Sequence, residues 1–287
     1  MADSRFAQGY LFAALTVAIW SGFALVSRIG GTSVLTGLDI TALRFGTAAV
    51  LLLPALSMRG GVGLPAGRLA ALALFGGLGY SLLVYSGFAY APAVHGAILL
   101  SGLLPFEVAA FAWLLLDERP SARRWLGLGI IAAGVACLGT DVLRGDAETW
   151  RGDLLILGAS LCWALYTVLA RRWTVAPWDA TIGVALLAAL VYLPIYVFFL
   201  PKQLAAAPWS LIAGQAVYQG IIVVIVAMIL YMKAAERMGP TRLGTFMALV
   251  PAISGLAAVP LLGEPLTGWL LGGLALVSGG AYLGSRS

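Results

Sequence analysis

The chain has 287 residues, of which 61% are hydrophobic and 10% are charged, and its formal net charge is +5. A soluble domain carries about 25% charged residues, so this composition excludes a soluble globular protein and indicates an integral membrane protein. The basic residues lie singly between apolar runs and form no patch, which argues against nucleic acid as a partner. The apolar runs are about 20 residues long, enough for a helix to cross a bilayer, so the lipid bilayer is the first expected partner.

These runs predict ten transmembrane helices with short loops between them. The first run, which begins near Gly9, is too long for the core of a signal peptide and has no A-x-A cleavage site after it, so we expect a retained span. The longest polar stretch, residues 141–152, lies between the fifth and sixth runs. The predicted spans are residues 9–28, 40–58, 69–90, 94–116, 124–140, 153–171, 179–200, 211–234, 240–262 and 266–284.

The stretch from His95 to Pro120 is repeated later in the chain. A shift of 146 residues superposes Pro105 on Pro251 and Glu118 on Glu264. Each copy therefore runs from a proline in the middle of an apolar helix to a glutamate at its end. An internal repeat has to be recognised before other fold arguments, because it decides the architecture.

The first predicted span is repeated as well. A shift of 143 residues superposes Trp20 on Trp163 and Arg28 on Arg171. Each copy holds five predicted spans, an odd number, so the second copy enters the membrane from the opposite side. We therefore predict an all-α membrane protein of ten transmembrane helices, built as two inverted five-helix repeats. The repeats are predicted at residues 1–140 and 153–287, with an extracytoplasmic linker at residues 141–152.

The basic residues predict which side of the membrane each loop faces. With the N-terminus in the cytoplasm, twelve of the arginines and lysines lie at the cytoplasmic side. Only Arg28, Arg144, Arg151 and Lys202 lie at the other side, and Arg44 lies near the start of the second span. Cytoplasmic loops carry an excess of Lys and Arg, so both termini are predicted to be cytoplasmic.

Inverted repeats are typical of secondary transporters, which bind the substrate near the membrane midplane between the halves. The chain has two lysines and neither belongs to a G-K-[ST] phosphate loop, so we expect no ATP hydrolysis. A single histidine excludes an H-E-x-x-H zinc site, and the lack of a G-x-S-x-G sequence argues against a hydrolase. No metal or cofactor is expected. Cys137 and Cys162 lie within apolar runs and are interpreted as packing residues.

Trp20 and Trp163 are the first candidates for binding the substrate. Each lies in the middle of its span, whereas the other tryptophans lie near span ends or in a loop. Packing in the core or against lipid explains a lone tryptophan equally well. A pair related by the repeat favours two rings that face each other across a central cavity and bind flat or apolar ligands.

Further candidates would supply polar tips or extend this surface. Tyr166 lies three residues after Trp163, hence on the same helix face. For the tyrosines, core packing with a hydrogen-bonded hydroxyl is the alternative. His95 has two interpretations, a local hydrogen bond or a gating and pH-sensing role. The candidate substrate-binding residues are Trp20, Tyr80, His95, Leu99, Trp163, Tyr166, Tyr218, Gln219 and Phe246.

Two stripes at helical spacing are predicted to line the cavity, one in the fourth span and one in the ninth. The residues of these stripes are His95, Leu99, Gly102 and Phe106, and Phe246, Leu249 and Ile253. Glycines in the fifth and tenth spans predict close helix contacts, either as a scaffold or as the interface of a homodimer. These glycines are Gly127, Gly129, Gly134, Gly268, Gly272 and Gly273.

Charged residues and prolines inside the spans have separate interpretations. Glu107 lies deep in the fourth span, where an acid is costly to leave unpaired. It is a candidate proton carrier for coupled export, and a protonated structural carboxyl is the alternative. Arg44 is expected to snorkel outward or to pair with Asp39, and no role is assigned to it. Pro105 and Pro251 interrupt equivalent helices and are the predicted hinges.

The ten spans, the five-plus-five repeat and the repeated proline-to-glutamate pattern together resemble the drug/metabolite transporter superfamily, EamA type. The pattern ends as L-L-x-E-x-P at Leu115 to Pro120 and as L-L-G-E-P at Leu261 to Pro265. The resemblance covers essentially the whole chain. It implies a multi-pass carrier of the bacterial inner membrane that exports amino acids or related metabolites by alternating access.

Within this superfamily, the aromatic centre of the chain is similar to bacterial aromatic amino acid exporters, which implies an aromatic or other amino acid as the small-molecule substrate. A facilitative exporter of other amphipathic metabolites or drugs is the alternative, and a channel or an intramembrane enzyme stays open as another class. Sugar-phosphate exchange is disfavoured, because a doubly charged anion would need several intramembrane cations and Arg44 is the only candidate.

Overall fold

The structure is a computed structural model that describes residues 2–119, 121–142, 148–238, 243, 246–265 and 267–285. Residues 143–147 of the predicted linker, which include Arg144, lie outside the described residues. Pro120, Arg242 and Arg286 lie outside them as well.

Long apolar segments make up nearly all of the described chain. They form ten helices, and no strand occurs in the ranges given above. The helices are α1 (Ala2–Gly31), α2 (Gly37–Arg59), α3 (Ala66–Tyr90), α4 (Ala93–Leu116), α5 (Ala122–Val142), α6 (Thr149–Arg172), α7 (Pro177–Phe199), α8 (Trp209–Met238), α9 (Val250–Leu262) and α10 (Gly268–Ser285).

The ten helices match the ten predicted spans and confirm the all-α membrane fold. Seven of them, α1 to α4 and α6 to α8, are long and apolar enough to cross a membrane. The apolar parts of α5, α9 and α10 are shorter. Large apolar side chains cover the outside of the bundle, as lipid contact requires. The most exposed are Met58, Phe199, Trp209, Phe198 and Leu114.

Short connections make consecutive helices antiparallel, so the bundle has two ends. One end, called the Arg28 end, holds the C-termini of α1 and α9 and the N-terminus of α4. The opposite end, called the Arg171 end, holds the C-termini of α4 and α6 and the N-terminus of α7. Arg28 and Arg171 are equivalent under the repeat, so each marks the same position on opposite sides of the membrane.

Both prolines of the repeated motif begin a new stretch of α-helix rather than kink a continuous one. In α4, a π-helical segment spans Ala97–Gly102 and Leu103 follows it. Pro105 then lies in the first turn of the α-helix Leu104–Leu116. In α9, Pro251 lies in the first turn. Proline is tolerated there because the first turn of a helix has no partner for its N–H groups. The hinge function of these prolines stays a prediction.

The glutamates of the motif follow two helix ends with the same geometry. Asp117 has a φ of 58° and Gly263 has a φ of 68°, so both lie in the left-handed region. The N–H of Glu118 then donates back to the Ala112 carbonyl, and that of Glu264 to the Ala258 carbonyl, at 3.3 and 3.5 Å. This helix termination explains why the two copies of the motif end alike although Asp117 replaces a glycine.

Two further π-helical segments occur at equivalent places in the repeats. They lie at Ala73–Gly79 in α3 and at Ala216–Val226 in α8. The shift of 143 residues superposes the start of the first on the start of the second. The wider turn of a π-helix changes which side chains share a face, and such segments are frequent at functional sites.

The glycines of α5 and α10 divide into two groups. A Cβ on Gly134 would lie 2.9 Å from the Gly273 carbonyl oxygen, and one on Gly127 would lie 2.8 Å from that of Gly280. These residues let the two helices touch, so the scaffold interpretation applies to them. A Cβ on Gly129, Gly268 or Gly272 would meet no atom of the described residues within 4 Å. The homodimer interface stays a prediction.

Candidate functional site

A cavity of about 610 Å³ lies in the centre of the bundle. Side chains or backbone of all ten helices line it, so both repeats contribute. Its volume lies within the range of about 300 to 1,000 Å³ that is typical of small-molecule sites. The cavity extends to Gly284 in the last turn of α10, and therefore reaches the Arg171 end.

Aromatic rings form much of the cavity wall. The Trp163 ring lies 5.0 Å from the Tyr80 ring and 5.0 Å from the Tyr166 ring, measured between centroids. Trp20 lies 5.3 Å from Tyr231 on another part of the wall. The structure thus brings four of the predicted residues, Trp20, Tyr80, Trp163 and Tyr166, to one cavity. Tyr231 and Phe23 line it as well and were not among the candidates.

Glycine at position 76 makes room for this aromatic wall. A Cβ at Gly76 would lie 2.3 Å from Cδ2 of Tyr166, which is closer than van der Waals contact allows. Gly76 belongs to the π-helical segment of α3, so an irregular stretch of backbone positions the ring.

Tyr218 is placed in a similar way but does not line the cavity. Its hydroxyl donates to the Ile19 carbonyl at 2.7 Å, and a Cβ at Gly22 would lie 2.2 Å from it. The hydroxyl is therefore engaged by the backbone of α1. Core packing, the alternative considered for the tyrosines, describes Tyr218, and its assignment to the substrate site is corrected.

Gln219 does not line the cavity either. It is fully buried, and its side-chain amide accepts from the Tyr85 hydroxyl at 3.0 Å and donates to the Ser27 hydroxyl at 3.2 Å. Gln215 continues the network by donating to the Val26 carbonyl. The amide oxygen and nitrogen of Gln219 are thus already engaged by other side chains. The assignment of Gln219 to the substrate site is corrected as well.

Arg44 is the residue that sequence reasoning missed. It is 6% exposed, lines the cavity, and donates from Nη1 to the Tyr85 hydroxyl at 2.9 Å. Its Cζ atom lies 6.0 Å from the centroid of the Tyr80 ring and 5.9 Å from that of Phe45. Arg44 therefore neither snorkels outward nor lies in bulk solvent.

The predicted pairing of Arg44 with Asp39 is wrong. Asp39 accepts hydrogen bonds from the Tyr196 hydroxyl, the Gln203 N–H and the Thr36 N–H. Residues five apart on an α-helix are separated by about 140° around its axis, so these two side chains leave α2 on different faces. An intramembrane arginine without an obvious partner was the signal that could have identified the site.

The two predicted stripes do not face the cavity. His95 is buried, with Nδ1 3.0 Å from Asp153 Oδ1, and Leu99 belongs to the apolar core. Phe246 packs on Tyr10 at 5.6 Å, and Leu249 is 48% exposed. The prediction that His95, Leu99 and Phe246 line the cavity is therefore corrected, because all three lie elsewhere in the bundle.

For His95 and Leu99, the physical reason lies in the backbone of α4. The cavity face of this helix contains other residues, and the π-helical segment Ala97–Gly102 interrupts the 3.6-residue period on which the predicted stripe was based. The contact with Asp153 also turns His95 toward α6, which supports the interpretation of a local hydrogen bond. The cavity-lining residues of α4 are Gly96, Ala97, Leu100, Ser101, Leu104, Pro105 and Val108.

Glu107 lies one side chain behind the cavity wall. It is 8% exposed, and its Oε2 accepts from the hydroxyl of Ser160, which lines the cavity, at 2.6 Å. Oε1 has no hydrogen-bond partner among the described residues. The proton-carrier and structural interpretations both stay predictions.

A partly buried polar cluster lies at the Arg28 end. Glu264 accepts from the N–H groups of Ala93 and Val94 at 2.7 and 3.1 Å, and its carboxylate lies 3.8 Å from the Arg28 guanidinium. Arg28 also donates to the Phe88 carbonyl at 2.8 Å. This cluster joins α1, α3, α4 and α9, and the α4 N-terminus favours the negative charge of Glu264.

The equivalent pair at the Arg171 end is exposed. Arg171 forms an ion pair with Glu118, and their side chains are 48% and 52% exposed, against 21% and 10% for Arg28 and Glu264. Both pairs join the first helix of one repeat to the fourth helix of the other. The chain thus contains two related ion pairs in unequal surroundings.

Comparison with known proteins identifies the type of molecule to which this bundle belongs. The EamA-like transporter family matches residues 7–140 and 150–286. An uncharacterized transporter of Bacillus subtilis, YyaM, is 27% identical over 230 residues, which cover 74% of this chain and 73% of that protein. The threonine/homoserine exporter RhtA of Escherichia coli is 32% identical over 166 residues, 57% of this chain. The aligned part spans about half of that exporter, 52%.

The fold is also found in a solved crystal structure. That structure superposes with a TM-score of 0.64 and covers 96% of both chains at 22% sequence identity. At this identity the likeness shows a shared fold.

Proposed function

This chain belongs to the EamA-like transporter family and is a secondary transporter of small molecules in a membrane, and we propose that it exports amino acids, chiefly aromatic ones, by alternating access. Its family is one of transporters rather than of enzymes. The observation that carries the proposal is the central cavity, which both repeats line and which four aromatic residues of the predicted set share.

The chemistry of the cavity supports an aromatic substrate. Rings with centroids about 4.5 to 7 Å apart attract one another in tilted or offset arrangements, and a flat ligand can join such a group. Tyr80, Trp163 and Tyr166 already have this spacing, with Trp163 between the other two. A substrate ring would contact the exposed face of this cluster.

Alternating access is supported by the difference between the two ends. The cavity reaches the Arg171 end, whereas the Arg28 end has a partly buried polar cluster and close backbone contacts. We propose that both termini are cytoplasmic and that the membrane is the bacterial inner membrane, so this conformation is open to the cytoplasm. Movement of the helices about Pro105 and Pro251 would then open the Arg28 end.

The proposal is tested by efflux from proteoliposomes that contain the purified protein and radiolabelled tryptophan or phenylalanine. We expect saturable efflux that is lower by about 10-fold in Trp163→Ala, because one stacking partner of the substrate is lost. The matched control is Trp209→Ala, since Trp209 is 78% exposed and lies outside the cavity wall. Efflux that rises linearly with concentration would indicate a channel and contradict alternating access.

A second candidate substrate comes from the relative that exports threonine and homoserine. Both molecules are small, polar amino acids and would leave most of the aromatic wall without contact. The same proteoliposomes loaded with threonine separate the two candidates. Threonine efflux without tryptophan efflux would retain the carrier and overturn the aromatic substrate.

A further inference from the structure

We propose that Arg44 binds the carboxylate of the transported molecule, so that the cavity selects monocarboxylates that carry an apolar or aromatic group. The inference rests on the proposed function in one respect, because it takes the central cavity as the transport site. It assigns a role to a residue that neither the repeat nor the aromatic pattern indicated.

The first argument is the missing counter-ion. Arg44 is 6% exposed, and it takes part in none of the ion pairs within 4.0 Å that the described residues form. The nearest acid in sequence, Asp39, already accepts from Tyr196 and Gln203. A buried cation inside a membrane is costly without an opposite charge, so an anionic ligand would supply what the protein lacks.

The second argument is the orientation of the guanidinium. Nη1 donates to the Tyr85 hydroxyl, and that hydroxyl donates onward to Gln219. This chain of hydrogen bonds holds the arginine in one position. Nε is buried and has no hydrogen-bond partner in the described part of the chain. A guanidinium held at one nitrogen and unpaired at Nε can bind a carboxylate through its remaining N–H groups.

The third argument is the neighbourhood. The Tyr80 ring lies 6.0 Å from Arg44 Cζ and 5.0 Å from the Trp163 ring. Both residues and Arg44 line the same cavity. A ligand whose carboxylate binds Arg44 therefore has its apolar group beside Tyr80 and Trp163. A single cation also suits one negative charge, which favours monocarboxylates over phosphate esters.

The alternative is that Arg44 is structural and that the rings of Tyr80 and Phe45 are sufficient partners for its charge. Cation–π contacts contribute to the stability of buried cations, so this alternative has a physical basis. It predicts that ligand binding does not depend on whether the ligand carries a carboxylate.

The experiment compares three ligands that share an indole ring and carry different charged groups. Purified protein in detergent is titrated with tryptophan, tryptophanamide and indole-3-acetate, and binding is followed by the rise in Tm. The variants are Arg44→Gln, Arg44→Lys and, as a control on the same helix, Arg59→Gln, since Arg59 is exposed and pairs with Asp179 at the Arg171 end. Size-exclusion profiles and the Tm without ligand report whether each variant folds.

We expect tryptophan and indole-3-acetate to bind and tryptophanamide to bind at least about 10-fold more weakly. Arg44→Gln should weaken binding of the two carboxylates by about 10- to 100-fold and leave that of the amide unchanged. Arg44→Lys should restore part of the carboxylate affinity, and Arg59→Gln should behave as the parent protein.

Equal binding of the acid and the amide, or carboxylate binding that survives in Arg44→Gln, would overturn the inference. Failure of all three ligands to bind would overturn it as well. These outcomes are distinct from failure of the proposed function. Binding of carboxylates that depends on Arg44, combined with no efflux from proteoliposomes, would retain the site and reject export.

Discussion

The two ends of the bundle contain the same ion pair in different surroundings. Arg28 and Glu264 are 21% and 10% exposed, whereas their repeat equivalents Arg171 and Glu118 are 48% and 52% exposed. Glu264 in addition accepts from the N–H groups of Ala93 and Val94. Equivalent residues in an inverted repeat therefore need not have equivalent roles in any one conformation.

Backbone packing shows the same difference. A Cβ on Gly152, at the Arg28 end, would lie 2.5 Å from the backbone nitrogen of Ala91. A Cβ on Gly9, its repeat equivalent at the Arg171 end, would lie 3.8 Å from the nearest backbone atom of Arg237, the equivalent of Ala91. The same helix contact is thus tight at one end and looser at the other. If the protein alternates between two conformations, we expect the two ends to exchange these features.

The largest difference should follow from reversing each ion pair. In the double variant Arg28→Glu, Glu264→Arg, an arginine would face the positive N-terminus of α4. It could not accept hydrogen bonds from the N–H groups there. We expect a loss of about 3–5 kcal/mol in stability. In Arg171→Glu, Glu118→Arg, the exposed pair keeps its attraction, and we expect less than about 1 kcal/mol. Denaturant unfolding in detergent measures both. Equal losses of stability in the two double variants would contradict the difference between the two ends.

Single neutral substitutions should show the same asymmetry on a smaller scale. Glu264→Gln leaves Arg28 without a counter-ion in a partly buried site and removes the acceptor of one of the two N–H groups, so we expect a loss of about 2 kcal/mol. Glu118→Gln should cost less than about 1 kcal/mol, because both partners stay hydrated.

The variant Glu264→Gln should also increase labelling of a cysteine introduced at Ala93 with a membrane-impermeant reagent. Unchanged labelling would mean that this cluster does not hold the Arg28 end closed.

Substitution of Glu107 tests whether proton transfer drives the change from a cavity open at one end to a cavity open at the other. We expect Glu107→Gln to fold and to export, but with efflux that no longer depends on pH, since the amide cannot carry a proton. The matched control is Glu148→Gln, because Glu148 is exposed and pairs with Arg151. Full pH dependence in Glu107→Gln would leave the structural carboxyl as the correct interpretation.

The smallest effect should come from salt. Raising the ionic strength from about 0.1 M to about 1 M shortens the Debye length from about 10 Å to about 3 Å. Double-mutant cycles should then show the coupling between Arg171 and Glu118 falling toward zero, while that between Arg28 and Glu264 changes little. Equal salt sensitivity at the two ends would indicate that solvent reaches both pairs alike.

Several features of this protein follow from the sequence alone. Apolar runs of membrane-crossing length determine the ten helices, because a bilayer leaves few other ways to satisfy backbone hydrogen bonds. The matched prolines and glutamates reveal the repeat, and the pair Trp20 and Trp163 indicates the cavity. These signals are local or periodic, so they can be recognised without knowing how the helices pack.

Other features are decided only by the tertiary structure. The π-helical segments change the faces of α3, α4 and α8, so spacing alone misassigned His95 and Leu99. The partners of Arg44, Tyr85 and Gln219 lie far apart in sequence and meet only when α2, α3 and α8 pack together. Burial of one ion pair and exposure of the other depend on the conformation of the whole bundle. The sequence pattern that the two ends share does not reveal that difference, because it results from how ten helices share one cavity.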